Sequence, residues 1–157
     1  MQLNSKIVKN DLIIIIICSL ILRVLYLYFI EGMNFNSGED DEHYYKIALE
    51  AAENGIINWS SHDRPPLISF IILPIIKTTN VYLALILIKL LMITISAITV
   101  IILYFLSLEV TKNYKISLLV SLIFCFYPYS IFISTRLYTE NLAALLICLI
   151  SLFLTKF

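Results

Sequence analysis

Apolar residues fall along this chain in long runs, and the polar intervals between them are short except for one. The first run, residues 12–30, has the length of roughly 20 residues that carries a helix across a hydrocarbon layer. A longer run covers 81–108, and another covers 116–135, where Pro128 is expected to kink the helix. The last, 142–155, is short for a crossing unless its helix begins near Leu137. Residues 67–76 are also apolar, but at 1.5 Å per residue they reach only about half the hydrocarbon thickness. They read as a juxtamembrane or shallow re-entrant helix. The pattern predicts an all-α, polytopic membrane bundle of about four transmembrane helices. One or two juxtamembrane helices lie in its first extracytoplasmic loop, residues 31–80. With no internal repeat and no flexible linker, residues 1–157 read as a single membrane domain.

Within the long polar interval a further helix is expected. Ser37 or Asp40 can cap its start, Asp41 and Glu42 suit the positive end of its dipole, and Gly55 suits the position after its end. Tyr44, Ala48, Ala51 and Ala52 then share one face, with Glu42, Lys46, Glu50 and Glu53 opposite. That spacing describes an amphipathic helix lying at a membrane interface.

Composition strengthens the membrane reading, since 61% of the 157 residues are hydrophobic where soluble domains run at about 45–50%. The formal net charge of +0 removes the basic face that nucleic acid would require. Charge sign is nevertheless segregated. Lys6, Lys9, Lys112, Lys115 and Lys156 mark one end of the expected bundle and the carboxylates mark the other. The positive-inside rule then puts both termini in the cytoplasm and the loop outside, in a cell membrane or an endoplasmic-reticulum-type membrane. The first run is too long for a signal-peptide core and lacks a small-residue cleavage site, so it is expected to be retained. Cys18, Cys125 and Cys148 lie in apolar runs, in no metal or redox spacing.

The candidate chemistry is concentrated in residues 39–67. This stretch opens with Glu39-Asp40-Asp41-Glu42-His43-Tyr44-Tyr45 and closes with His62-Asp63-Arg64-Pro65-Pro66-Leu67. Acids at a helix start are often only a solvated cap. Asp63 beside Arg64, ahead of two stiffening prolines, adds a second carboxylate and a guanidinium at the membrane surface. One carboxylate can take a proton from a hydroxyl nucleophile, and the guanidinium can hold a phosphate through paired hydrogen bonds. His43 and His62, with Glu39, Asp41 and Asp63, could ligate a divalent cation, but their spacing fits no ligand pattern, and no cofactor is expected. Tyr44, Tyr45 and Trp59 suit an interfacial aromatic belt or, alternatively, sugar stacking. Arg23 and Lys89 lie inside apolar runs at similar depth. They either snorkel to the outer interface or face the bundle interior, pairing with loop carboxylates or a lipid phosphate. Arg136 and Glu140 read as an interface anchor and a helix-end cap.

In that order, Asp41-Glu42-x-Tyr-Tyr, a short helix ending at Gly55, and Asp63-Arg64-Pro65-Pro66-Leu67 resemble the first extracytoplasmic loop of GT-C glycosyltransferases. These enzymes use polyprenyl- or dolichyl-phosphate sugars and include protein mannosyltransferases and aminoarabinose transferases. Arg23 matches an arginine frequent in their first span. Tyr127-Pro128-Tyr129 through Arg136-Leu137-Tyr138-Thr139-Glu140 is similar to their segment between the third and fourth spans. The resemblance implies an inverting sugar transfer to an acceptor hydroxyl on a glycan, protein or lipid. Asp41 would act as catalytic general base, and Asp63 would be a second acidic residue of the catalytic site, an acceptor or metal contact in some members. Arg64 would meet the carrier phosphate, with Glu42, Tyr45 and His62 completing the substrate-binding set. Such enzymes carry more spans than this chain, so it is expected to be an amino-terminal module of such an enzyme. The rival reading is a non-catalytic membrane subunit or scaffold whose acidic loop binds a partner. A transporter reading is weaker, because the runs lack paired Gly/Pro interruptions.

Overall fold

The computed structural model describes residues 5–32, 40–55 and 64–156, and these are helical with no strand among them. The elements are α1 (Ser5–Tyr26) with a π-helical turn at Leu27–Glu31, α2 (Asp40–Asn54), α3 (Leu67–Thr78), α4 (Val81–Thr111), α5 (Tyr114–Phe126), α6 (Pro128–Ser134) and α7 (Thr139–Leu154). The helix α4 is the axis of the bundle and packs against α1, α3, α5, α6 and α7. Its sequence explains its 31-residue length, since no glycine or proline interrupts it. At its start the Asn80 side chain accepts the Leu83 N–H at 2.9 Å. At its end Lys112 turns left-handed at φ 51°, and its N–H closes on the Leu108 carbonyl.

Two helical stretches, Ser5–Glu31 and Val81–Thr111, are long and apolar enough to cross a membrane. The first begins well before the apolar run, taking in Lys6, Lys9 and Asp11. The helices α3, α5 and α7 have 12, 13 and 16 residues. The helix α7 starts at Thr139, just past Leu137, and at 16 residues is still shorter than the roughly 20 that a crossing takes.

Residues 116–135 do not form one kinked helix, as the sequence suggested; they are divided between α5 and α6. Tyr127 is extended, at φ −67° and ψ 116°, and Pro128 opens the next helix. A residue before proline is pushed out of the α region by the ring, and a proline at the first helical position loses no hydrogen bond. The chain therefore breaks rather than bends.

The helix α2 forms at the expected place, and Tyr44, Ile47, Ala48 and Ala51 are buried along one face. That face packs against α3 rather than lipid. Tyr44 and Ala48 join Ile68 and Ile72 in one apolar cluster with Met92 and Leu137. The Ser69 hydroxyl donates to the Tyr44 carbonyl at 2.9 Å, fixing the register of the pair. A second cluster, around Ile15, Val100, Tyr104 and Cys125, joins α1, α4 and α5 towards the other end.

Charged side chains are buried within the bundle while large apolar ones lie on its surface. Arg23 and Lys89 have no exposed surface, whereas Ile14, Ile17, Ile21 and Val24 on α1 are each more than two-fifths exposed.

Candidate functional site

The buried side of α1 advances in steps of four: Asp11, Ile15, Ser19, Arg23, Leu27 and then Glu31. Each such step overshoots a 3.6-residue turn by about 40°, so the stripe drifts round the helix. The π turn at Leu27–Glu31, closed by Gly32 N–H on the Leu27 carbonyl at 2.9 Å, holds more residues per turn and takes back part of the drift. Glu31 is thereby kept on the side facing α4.

Polar rungs join this stripe to α4. Near one end Tyr104 donates its hydroxyl hydrogen to Asp11 at 2.8 Å. Midway, Arg23 donates from Nε to the Ser96 hydroxyl at 2.8 Å and from Nη1 to the Ser19 carbonyl at 3.1 Å. Its Nη2 has no hydrogen-bond partner among the described residues. Of the two readings of Arg23 and Lys89, the structure selects the interior one, because both stand at 0% exposure.

At the far end the rung becomes a cluster. The Lys89 ammonium lies 3.5 Å from one Glu31 oxygen and donates to the Thr135 carbonyl at 3.3 Å. Arg136, in the turn between α6 and α7, donates from Nη2 to the other Glu31 oxygen at 3.1 Å. Its guanidinium lies over the Phe132 ring at 4.5 Å. The Glu31 side chain is 2% exposed, so one carboxylate bridges two cations out of water.

Asp41 completes the group from α2. It is fully buried, and its Oδ1 accepts the Leu137 N–H at 2.9 Å. Its Oδ2 has no hydrogen-bond partner among the described residues. Burial pushes its carboxyl up to about 6; Lys89 and the Leu137 N–H pull the other way without cancelling that effect, and Glu31 and Asp40 add to it. The neighbouring Tyr138 hydroxyl is also pushed up, by burial first and then by the Asp41 charge. With Asp41 ionised, two cations and two carboxylates balance; with Asp41 protonated, the cluster carries a net positive charge.

The remaining sequence-derived candidates take different places. Arg64 pairs with Asp40 at 2.9 Å, one residue from Asp41, with both side chains more than a third exposed. Glu42 pairs with Lys46 at 2.6 Å along the outer side of α2. Tyr45 is partly buried against the cluster holding Tyr44 and Ile68. His43 is exposed. Asp63, His62, Glu39, Ser37 and Trp59 lie outside the described residues. No group of three or more His, Cys, Asp or Glu among the described residues could hold a metal ion.

Sequence reasoning passed over Glu31, which ends an apolar run and looks like the first residue of a polar loop. The signal that could have found it is the four-residue recurrence of Asp11, Ser19, Arg23 and Glu31, polar groups that would otherwise be scattered round an apolar helix. Arg136 and Leu137 were noticed but not placed against Asp41, nearly a hundred residues earlier in the chain. No family model, no curated protein and no solved structure matches the chain.

In chemical terms the arrangement offers a buried carboxylate, its carboxyl pushed up to about 6 and one oxygen without a hydrogen-bond partner among the described residues, beside buried cations. A carboxylate of that kind can accept a proton from a hydroxyl at neutral pH. Cations fixed in a dry environment can stabilise developing negative charge.

Proposed function

We propose that this chain is a catalytic module of a membrane glycosyltransferase of the GT-C type, taking sugar from a polyprenyl- or dolichyl-phosphate carrier. The observation that carries the reading is Asp41: buried, raised to about 6, held by the Leu137 N–H on one oxygen and without a hydrogen-bond partner among the described residues on the other. At neutral pH it is largely ionised and serves as the general base that removes the acceptor hydroxyl proton. The acceptor oxygen attacks the anomeric carbon, the bond to the carrier phosphate breaks, and the sugar is transferred with inversion. Arg64, held beside Asp40 at the entrance, is the cation for the carrier phosphate. Lys89 and Arg136 keep the interior positive enough for Asp41 to ionise.

The bundle sits in a membrane in this reading and crosses it four times: through α1, through α4, through α5 with α6, and through α7. Support comes from the large apolar side chains on the exterior together with Arg23 and Lys89 held inside, an arrangement that hydrocarbon favours. The lysine-bearing ends of α1, α4 and α7 share one face, which is assigned to the cytoplasm. The Asp41 cluster then lies towards the extracytoplasmic side.

The test is transfer of labelled sugar from a polyprenyl-phosphate donor in membranes carrying the protein. Removing a general base lowers such rates by about 10²–10⁴-fold, and Asp41→Asn is expected to fall in that range while membrane insertion is retained. Equal transfer by wild type and variant, with transfer present, would reject the role of Asp41. Absence of transfer together with co-purification of a multi-span partner through the acidic loop would instead establish the scaffold reading.

A further inference from the structure

A cavity of about 870 Å³ opens at the end of the bundle remote from Asp41, between the first turns of α1 and the last turns of α4 and α7. Its volume lies in the range of about 300–1,000 Å³ that bound organic ligands occupy. Leu12, Ile16, Phe105 and Leu152 supply apolar walls. Lys9, Lys112 and Lys156 stand at its lining from three different helix ends. The one carboxylate among the lining residues, Glu109, is already paired with Lys112. Lys9 and Lys156 are exposed and form no salt bridge with a described residue, Lys156 acting on Glu109 only at longer range. Glu109 thus offsets one of the three lysines, and net positive charge remains at the mouth.

These two chemistries in one recess define the occupant. A free anion would satisfy the lysines and leave the hydrocarbon walls bare. An apolar peptide helix would cover the walls and strand two ammonium groups against it. An anionic phospholipid satisfies both, with its phosphate among the lysines and an acyl chain along α1 and α4. We propose that this recess is a binding site for an anionic phospholipid of the leaflet facing the lysine-rich end. The inference rests on membrane residence and not on sugar transfer.

The experiment first checks that the full chain resists extraction from membranes by alkaline carbonate, then measures lipid retention by native mass spectrometry in a neutral detergent. Phosphatidylglycerol, phosphatidylcholine and inorganic phosphate are the probes. Phosphatidylglycerol is expected to be retained and phosphatidylcholine lost, with inorganic phosphate unable to displace the bound lipid. The variant Lys9→Gln/Lys112→Asn/Lys156→Gln changes only exposed side chains, and asparagine suits the left-handed backbone at 112. At about fivefold for each lysine near a headgroup, it should weaken retention on the order of 100-fold. Ile16→Trp, which fills the wall without touching a charge, should also expel the lipid. Release of the chain by carbonate would overturn membrane residence itself. Equal retention of the two lipids, undiminished retention by the lysine variant, or displacement by inorganic phosphate would overturn the site alone.

Discussion

Glu31 is the residue whose removal should be felt most widely. Glu31→Ala leaves Lys89 and Arg136 facing each other in the interior without the carboxylate that bridges them. Breaking a buried ion pair from one side costs about 3–5 kcal/mol, most of it the desolvation of the charge left behind. Two cations lose that carboxylate here, which argues for the upper end. Against that, Lys89 keeps the Thr135 carbonyl at 3.3 Å and Arg136 keeps the Phe132 ring at 4.5 Å. About 3 kcal/mol is the expected net loss. For a chain of this size that lowers the unfolding midpoint by about 6–12 °C. The assay is thermal unfolding in mild detergent, followed by near-ultraviolet circular dichroism. Glu42→Ala, which removes the outer pair with Lys46, is the control and should cost under about 1 kcal/mol. Adding Lys89→Met to Glu31→Ala should recover part of the loss, because one buried cation is removed with it. A Glu31→Ala midpoint no lower than that of Glu42→Ala would refute the bridging role.

Two other outcomes follow from the same geometry. Asp41 titrates higher in the fold than its ordinary value of 3.8, so the folded state binds the extra proton between that value and about 6. Stability attributable to Asp41 is therefore fullest below pH 3.8 and falls as pH rises to about 6, by at most about 3 kcal/mol; midpoints at pH 4, 5, 6 and 7 should show this slope for wild type and lose it in Asp41→Asn. Arg64→Ala breaks a half-exposed pair worth about 0.2–1 kcal/mol, so the midpoint should move by no more than about 4 °C while the KM for the polyprenyl-phosphate donor rises at least tenfold.

How far the residues alone reveal this molecule depends on the range of the interactions. The register of α2 was legible because Tyr44, Ala48 and Ala51 repeat at helical spacing against charged positions opposite, a local pattern. The stop at Gly55 and the short helix after Pro66 were legible for the same reason. The partition at Tyr127 was half-legible: Pro128 announced a disturbance, but whether a helix bends or restarts depends on how its two halves pack. Local pattern could not say where Arg23 and Lys89 point, since an isolated cation in an apolar run can snorkel or turn inward. Ser96 for Arg23 and Glu31 for Lys89 decide it, at separations of 73 and 58 residues. The contact between Leu137 and Asp41 spans 96 residues and becomes visible only when α2 and the α6–α7 turn meet in space. Arg64 pairs with Asp40 at the surface, one residue from the buried Asp41.

The pH dependence of sugar transfer tests the central claim most directly, because only an ionised Asp41 can act as base. Initial rates at saturating polyprenyl-phosphate sugar should rise about tenfold per pH unit below pH 6 and level off above it, with the bend near the Asp41 value of about 6. Asp41→Asn should retain a small residual rate without that bend. A wild-type rate that stays flat from pH 4.5 to 7.5, or an unchanged bend in Asp41→Asn, would contradict the account.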